Sequence, residues 1–478
     1  PASLDEAEAA RRDLAWEELF YLQMVITRRG IEHRASRRKR QATANSLARK
    51  VLEALPFALT ADQTTVLEEI AADLQLPRPM ARLIQGDVGS GKTLIAFLAA
   101  CESIEAGEQV AFMAPTELLA RQHADNAARL LEPAGIRIAL FTGSIAPRFR
   151  RELLARLEAG EIDLVIGTHA LFSEDVRFRR LGLAIIDEQQ RFGVLQRVAL
   201  GAKGENPDML VMTATPIPRT LAMTLFGDLE VSIIRTMPPG RKPVLTHLAS
   251  IGKEEKVYSW VKNEIEAGRQ AYFVYPLIAE SSKMALKDAE GMFARLTKRF
   301  PRFHLGLIHS RLDEETRLAT MRTFAAGELD LLVATSVVEV GVDVANATCM
   351  VVEHAERFGL SALHQLRGRV GRGTHQSYAF LVYDPELTDE GKRRLKVMKE
   401  NSDGFAVAEE DLRIRGPGNI SGTEQAGFLR LRFADLVGDS DVMLHARDSA
   451  RRIGRDDPGL LSPEHTLIRR VLQHTNPF

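Results

Sequence analysis

Short, uniformly apolar runs that alternate with helix-length stretches are the feature that most constrains the fold of this 478-residue chain. Apolar residues at consecutive positions predict strands that are covered on both faces. Such strands occur in parallel sheets that carry helices on both sides. The helix-length stretches 93–106 and 148–159 each end at a glycine, which is a common helix stop. In the first half of the chain the predicted strands are Met80–Ile84, Val110–Ala114, Ile136–Phe141, Ile162–Ile166, Leu181–Ile186 and Met209–Met212.

The same alternation resumes after a proline-rich segment, Met237–Pro243, which predicts a linker between two α/β units of similar size. In the second unit we predict helices over 285–299 and 313–326. The predicted strands there are Gln270–Ile278, Leu305–His309, Leu331–Ala334, Met350–Glu353 and Ala379–Val382. The fold class is therefore α/β. We predict a helical segment at 1–54, α/β domains at 55–240 and 241–395, and a helical, loop-rich C-terminal element at 396–478.

Composition argues against a zinc site and against a membrane span. The two cysteines, Cys101 and Cys349, stand far apart in apolar surroundings without a CxxC or Cys/His neighbour, so we predict buried, reduced thiols. No apolar run reaches the roughly 18 residues that a membrane span needs. The formal net charge is −1, so a nucleic-acid partner would have to meet locally clustered basic residues. One basic cluster lies at 34–40. It is equally compatible with phosphate contact and with a solvated surface.

A glycine-rich loop at 86–93 matches the phosphate-binding pattern G-x-x-x-x-G-K-[ST]. It follows a predicted strand and opens a predicted helix, which is the context that the pattern requires. Its glycines let backbone N–H groups wrap the phosphates, Lys92 can reach the β- and γ-phosphates, and the Thr93 hydroxyl can bind Mg²⁺. We therefore expect ATP and Mg²⁺ as cofactors. The candidate nucleotide-binding residues of the loop are Gly86, Asp87, Val88, Gly89, Ser90, Gly91, Lys92 and Thr93.

Two acidic residues, Asp187 and Glu188, follow the predicted strand Leu181–Ile186. We expect Asp187 to hold Mg²⁺ and Glu188 to orient or deprotonate the attacking water, because phosphoryl transfer is catalysed mainly by charge and position. An acidic pair after a strand can also be a helix N-terminal charge. The phosphate loop about 100 residues upstream favours the catalytic interpretation.

Two arginines in the second unit, Arg369 and Arg372, lie in a glycine-rich stretch at 365–372. One interpretation of these two arginines is a solvated basic loop. The tandem architecture favours arginine fingers that reach the γ-phosphate across a cleft between domains, so that hydrolysis depends on domain closure.

Taken in order, these motifs resemble those of the superfamily 2 helicases, which implies two tandem RecA-like P-loop domains with parallel sheets covered by helices. The stretch Phe57–Gln63 resembles the adenine-reading Q motif, 213–220 resembles motif III, and 333–343 resembles motif V. The resemblance implies nucleotide-binding roles for Phe57, Gln63, Gly341 and Asp343. It implies DNA-binding or coupling roles for Arg121, Thr168, Gln190, Thr213, Thr215, Thr335, Gln365, Arg413, Arg415 and Gln425.

A narrower resemblance, to the RecG family, depends on other segments, namely 238–243, 275–281 and 411–418. The last resembles the translocation motif that RecG shares with the transcription-repair coupling factor, a helical hairpin and loop that couple ATPase state to movement on duplex DNA. The coupling factor usually has alanine where Pro417 stands and lacks the proline-rich linker, which favours RecG. The family usually has histidine where this chain has Gln190, so we expect altered coupling there.

The resemblance implies an ATP-dependent DNA helicase or translocase that acts on branched DNA, in fork reversal and Holliday-junction branch migration. The RecG wedge domain, an OB-fold, has no counterpart in the short-strand pattern before residue 55, so the chain is expected to be the motor portion. Expected partners are forked, branched and duplex DNA and single-strand binding protein, with a monomer in the bacterial cytoplasm and no membrane contact. Two alternatives remain: a coupling-factor-like duplex translocase that remodels a protein partner, and an RNA helicase.

Overall fold

The computed structural model describes residues 3–35, 45–188, 203–204, 206–214, 229–238, 240–276, 282–309, 311–335, 344–415, 432–434 and 438–474. A long first helix, α1 (Leu4–Ala35), is followed by two α/β domains with separate sheets and then by further helices. Within the described residues, no helix has the length and apolarity to cross a membrane.

The first domain contains a seven-stranded parallel sheet in the order β3-β4-β2-β5-β6-β1-β7. Its strands are β1 (Ala81–Gly86), β2 (Gln109–Met113), β3 (Ile138–Phe141), β4 (Leu164–Gly167), β5 (Leu181–Ile186), β6 (Asp208–Thr213) and β7 (Glu230–Ile234). The helices α2 (Ser46–Glu53), α3 (Ala61–Leu74), α4 (Lys92–Glu105) and α5 (Glu117–Leu131) pack on one face, and α6 (Pro147–Ala159) packs on the other. The central strands are buried on both faces, as their uniformly apolar sequences predict.

The second domain contains a six-stranded parallel sheet in the order β10-β11-β9-β12-β13-β8. Its strands are β8 (Leu245–Ser250), β9 (Gln270–Tyr275), β10 (Leu305–Ile308), β11 (Leu331–Thr335), β12 (Ala347–Val352) and β13 (Tyr378–Tyr383). The helices α7 (Glu254–Glu266) and α8 (Ser282–Arg299) cover one face. The helices α9 (Glu314–Ala325), α10 (Leu360–Arg367), α11 (Asp389–Glu400) and α12 (Gly404–Arg415) cover the other.

The last helices, α13 (Ser440–Asp456) and α14 (Thr466–His474), form a core with α1. Leu19 and Met24 of α1 are buried against Ala446 of α13. Arg11 of α1 makes a bidentate ion pair with the buried Asp439 at the start of α13, with both N–O distances 2.8 Å. The two ends of the described chain therefore stabilise each other, which the sequence did not indicate.

The α/β fold class and all eleven predicted strands are confirmed. Two strands, β7 and β8, were missed because they flank the proline-rich segment, and the edge strand β8 contains only half-buried and exposed residues. The helical segment predicted at 1–54 contains α1 and α2, while 1–2 and 36–44 lie outside the described residues. Both cysteines are buried and free, as predicted.

Candidate active site

The phosphate loop lies between the end of β1 at Gly86 and the start of α4 at Lys92. Gly89 and Gly91 have φ angles of 78° and 90°, in the left-handed region that favours glycine. A Cβ at Gly91 would also lie 2.3 Å from Nε2 of Gln63. Backbone conformation and close packing therefore both require glycine in this loop.

Lys92 is buried and its Nζ donates hydrogen bonds to the carbonyl oxygens of Gly86 at 2.7 Å and Asp87 at 2.9 Å. Burial lowers the pKa of Lys92, while nearby carboxylates, including Asp187, oppose that shift. The buried Oγ of Ser90 has no hydrogen-bond partner among the described residues. The loop thus offers donors suited to phosphate, which fits the predicted nucleotide.

Gln63, the predicted adenine reader, fixes the start of α3 to the phosphate loop. Its Oε1 accepts a hydrogen bond from Thr60 N at 2.9 Å in a capping box, and its Nε2 donates to Ser90 O at 2.8 Å. Phe57, the other predicted member of this motif, is 49% exposed. Thr93 is the second residue of α4, directly after Lys92.

The two predicted catalytic carboxylates lie at the end of β5, beside the phosphate loop. Asp187 Oδ2 is 2.8 Å from Nε2 of the buried His123 on α5. Glu188 has a φ of 51°, unusual for a residue with a side chain, and such strain is common at functional sites. Burial and then the charge of Asp187 raise the pKa of Glu188, while the charges of Lys92 and Arg369 oppose that shift.

The predicted arginine fingers face these groups from the second domain. The charge of Arg369 acts on Glu188, and the charge of Arg372 acts on Lys92. Arg372 Nε also donates a hydrogen bond to Gly368 O at 3.3 Å. The structure therefore brings together the lysine, both carboxylates and both arginines that the sequence predicted.

A further chain of contacts crosses the cleft through His364 of α10. Its Nε2 is 2.5 Å from Oδ1 of Asp87, and its Nδ1 is 2.9 Å from Nη2 of Arg367. A guanidinium can only donate, so Nδ1 accepts and the proton of the neutral ring is on Nε2. Burial acts to raise the pKa of Asp87, but the interactions with His364, the backbone N–H of Val88 and the charge of Lys92 together outweigh burial, so the pKa is lowered.

Arg367 continues this chain towards the C-terminal helices. It is buried and donates hydrogen bonds to the carbonyl oxygens of Met398 at 3.0 Å, Asn401 at 2.6 Å and Ser402 at 3.1 Å. These residues end α11 and precede α12. Contacts thus run from the phosphate loop to the base of α12.

Four residues of the site were not assigned roles from the sequence: His123, Arg241, His364 and Arg367. Arg241 and Arg367 lie inside the stretches 238–243 and 365–372 of the sequence analysis, His364 immediately precedes the second stretch, and His123 is two residues after Arg121. Their positions in or near these stretches were the signal that could have identified them. Their hydrogen-bond partners could not be identified in this way, because the partners are distant in sequence.

Several predicted DNA-contacting residues lie where strands end. Thr168, Thr213 and Thr335 are each at most 2% exposed and follow or end β4, β6 and β11. Arg121 lies on α5 and Gln365 on α10. Arg413 on α12 is exposed and pairs with Glu410 at 2.6 Å, an intrahelical contact. Outside the described residues lie Gln190, Thr215, Gly341, Asp343, Gln425 and the side chain of Arg415.

Three family models match successive parts of the chain. The DEAD/DEAH box helicase model matches residues 60–224, and the helicase conserved C-terminal domain matches 254–374. A model described as ATP-dependent DNA helicase RecG, domain 3, C-terminal, matches 401–476. These ranges cover β1 to β6 of the first sheet, β9 to β12 of the second sheet, and the helices α12 to α14.

Similar curated proteins are ATP-dependent DNA helicases RecG. The protein of Treponema pallidum is 52% identical over 96% of this chain and 70% of its own length. That of Borreliella burgdorferi is 51% identical over 94% of this chain and 65% of its own length. The protein of Synechocystis is 46% identical over 99% of this chain and 57% of its own length. The chain thus spans between 57% and 70% of the length of these relatives.

Solved structures agree. A structure of RecG bound to a three-way DNA junction is 42% identical, with a TM-score of 0.76 over 93% of this chain and 58% of that one. The DNA-bound DUF1998 helicase MrfA, at 15% identity and a TM-score of 0.57 over 87% of this chain and 62% of that one, shares the fold alone. The coupling-factor alternative is not favoured. The chain belongs to the RecG family of ATP-dependent DNA helicases.

Proposed function

We propose that this chain is the motor of an ATP-driven translocase and helicase that acts on branched DNA, in fork reversal and Holliday-junction branch migration. The observation that carries the proposal is the position of Arg369 and Arg372 of the second domain, close enough to Glu188 and Lys92 of the first for their charges to act on these groups. Because the two halves of the site come from different domains, hydrolysis requires their closure, and closure converts chemistry into movement.

ATP would be held by the phosphate loop and by Gln63, and Mg²⁺ held by Thr93 and Asp187 would neutralise phosphate charge. Burial keeps the pKa of Glu188 raised, which makes its carboxylate a better proton acceptor from water. The fingers stabilise the charge that develops in the transition state.

The coupling route that we propose runs through α10. His364 joins the phosphate loop to Arg367, and Arg367 holds the three carbonyl groups before α12. Ser361 of α10 adds a hydrogen bond to Asp411 of α12 at 3.2 Å. A change in the loop therefore displaces the base of α12, which begins the proposed translocation element.

DNA contact is proposed to fall on phosphates, since a translocating motor cannot depend on base identity. The buried hydroxyls of Thr168 and Thr335 have no hydrogen-bond partner among the described residues, which supports contact after a local opening. We propose the same role for Arg121, Thr213 and Arg413. The three-way junction bound by the RecG of known structure supports branched DNA as the substrate.

The remaining parts of the proposal concern organisation. We propose domain limits of 1–54, 55–240, 241–395 and 396–478, with a monomer that works in the bacterial cytoplasm and contacts single-strand binding protein. The family models, which match within the last three ranges, support this division.

The test is ATP hydrolysis without nucleic acid and with duplex DNA, a forked junction or RNA. We expect strong stimulation by DNA, abolished by Lys92→Ala and by Arg372→Ala. Lys262→Ala and Arg156→Ala, whose side chains are exposed, are matched controls that should retain full activity. Greater stimulation by RNA than by DNA would favour an RNA helicase instead. Stimulation by a protein partner alone would favour the coupling-factor class.

A further inference from the structure

The proline-rich linker carries an arginine that reaches into the cleft between the two domains. Arg241 is half-buried, and its Nη1 donates a hydrogen bond to the carbonyl oxygen of Val88. Its Nε donates to the carbonyl oxygen of Gly371 at 3.1 Å. Val88 belongs to the phosphate loop and Gly371 to the finger stretch, so one guanidinium joins the two halves of the site. Its donors are held in a fixed fork that a lysine cannot reproduce.

On the phosphate-loop side, the contact is possible because Gly89 has no side chain. A Cβ at Gly89 would lie 2.1 Å from Nη1 of Arg241. In a loop whose N–H groups turn towards phosphate, a carbonyl that points away needs a donor of its own. Arg241 supplies that donor to Val88 and so ties the linker to the loop, whose own shape is set by its glycines and Gln63.

On the finger side, the contact holds the peptide that leads into Arg372. Gly371 immediately precedes Arg372 and has a φ of 80°, a conformation that favours glycine. A hydrogen bond to the Gly371 carbonyl therefore fixes the orientation of the peptide group that joins Gly371 to Arg372. Both bonds exist together only when the domains are closed.

We propose that Arg241 is a positioning residue for ATP hydrolysis, which sets the place of the Arg372 finger relative to the phosphate loop. This inference rests on the proposed function and adds the linker to its machinery. Nucleotide binding needs mainly the phosphate loop and Gln63, both in the first domain, whereas the finger acts in the transition state. Loss of the two hydrogen bonds from Arg241 should therefore lower kcat and change KM for ATP little.

The experiment compares Arg241→Lys and Arg241→Gln with Lys242→Gln, the exposed neighbour in the same linker. We measure kcat and KM for ATP with and without duplex DNA, together with thermal unfolding. Both Arg241 variants should lose about 10- to 100-fold in kcat, as misplacement of a catalytic group by about 1 Å does. KM should change by less than about threefold. Lys242→Gln should match the wild-type chain.

A double variant shows whether Arg241 acts through the finger. In an Arg372→Ala background, Arg241→Gln should lower the residual kcat by less than about threefold, since residues that act as a unit are not additive. If Arg241→Gln unfolds near the assay temperature, Arg241→Lys, which keeps the side-chain stem and charge, decides the question.

A wild-type kcat in Arg241→Lys, or equal multiplicative losses in both backgrounds, would overturn the proposal. Failure of the proposed function gives a different result. A wild-type chain that is not stimulated by DNA would contradict the proposed function. In that case the effect of Arg241 substitutions on basal kcat would still test the positioning role of Arg241.

Discussion

Replacing Gly368 with alanine should hold the two α/β domains apart. Gly368 follows α10 with an ordinary helical φ of −68°, so alanine does not strain the backbone. Its Cβ would lie 2.8 Å from the Cβ of Val88 and 3.0 and 3.1 Å from the γ-methyl groups, whereas ordinary contacts span 3.4–4 Å. Overpacking of this kind costs about 1–3 kcal/mol. Since about 1.4 kcal/mol is a factor of ten, we expect the equilibrium constant for domain closure to fall about 5- to 150-fold.

The assay is kcat for ATP hydrolysis at saturating ATP and duplex DNA. Where closure limits turnover, Gly368→Ala lowers kcat by the same factor as it lowers the closed population. Val88→Gly removes all three contacting atoms, so the double variant should recover part of the loss. Gly291→Ala in α8 is the matched control, because its new methyl group meets open space. Wild-type kcat in Gly368→Ala, or a double variant no better than Gly368→Ala, would refute the reasoning.

Three further predictions concern coupling, pH and thiol reactivity. His364→Leu removes a hydrogen bond to a charged group, worth about 1.5–3 kcal/mol, so the ratio of DNA-stimulated to basal hydrolysis should fall about tenfold or more in a steady-state ATPase assay. Burial raises the pKa of Glu353 from 4.5 to about 7, so the stability that its neutral form contributes is present below about pH 4.5 and is lost as pH rises through about 7. In urea unfolding, the wild-type chain should therefore lose about 2 kcal/mol more than Glu353→Gln between about pH 5.5 and pH 8, and parallel pH profiles would contradict this. Burial raises the pKa of Cys101 and of Cys349 to about 12, so a thiol reagent at about pH 8 should label neither in the folded chain and both in denaturant.

Local patterns in the sequence were enough to find the strands, the phosphate loop and the catalytic pair. Asp187 directly follows the apolar run Leu181–Ile186, and Lys92 follows the run Met80–Ile84 across the glycine-rich loop, so their chemistry follows from a strand that ends beside a helix or loop. The strand β7 was not predicted because three of its five residues are only half-buried, so its sequence lacks a uniformly apolar run.

Contacts between the domains could not be predicted in the same way. His364 is 277 residues from Asp87, and Arg241 is 153 residues from Val88. Such pairs form only after two independently folded sheets take up one relative position, which no local periodicity encodes. A helical segment at 1–54 was predicted, but α13, against which α1 packs, lies more than 400 residues away.

The most direct test of ATP-driven movement on duplex DNA is displacement of a third strand from a DNA triplex by the wild-type chain. Our account predicts displacement with ATP, and none with a non-hydrolysable ATP analogue or with Lys92→Ala. DNA-stimulated hydrolysis with no displacement at any chain concentration would contradict it.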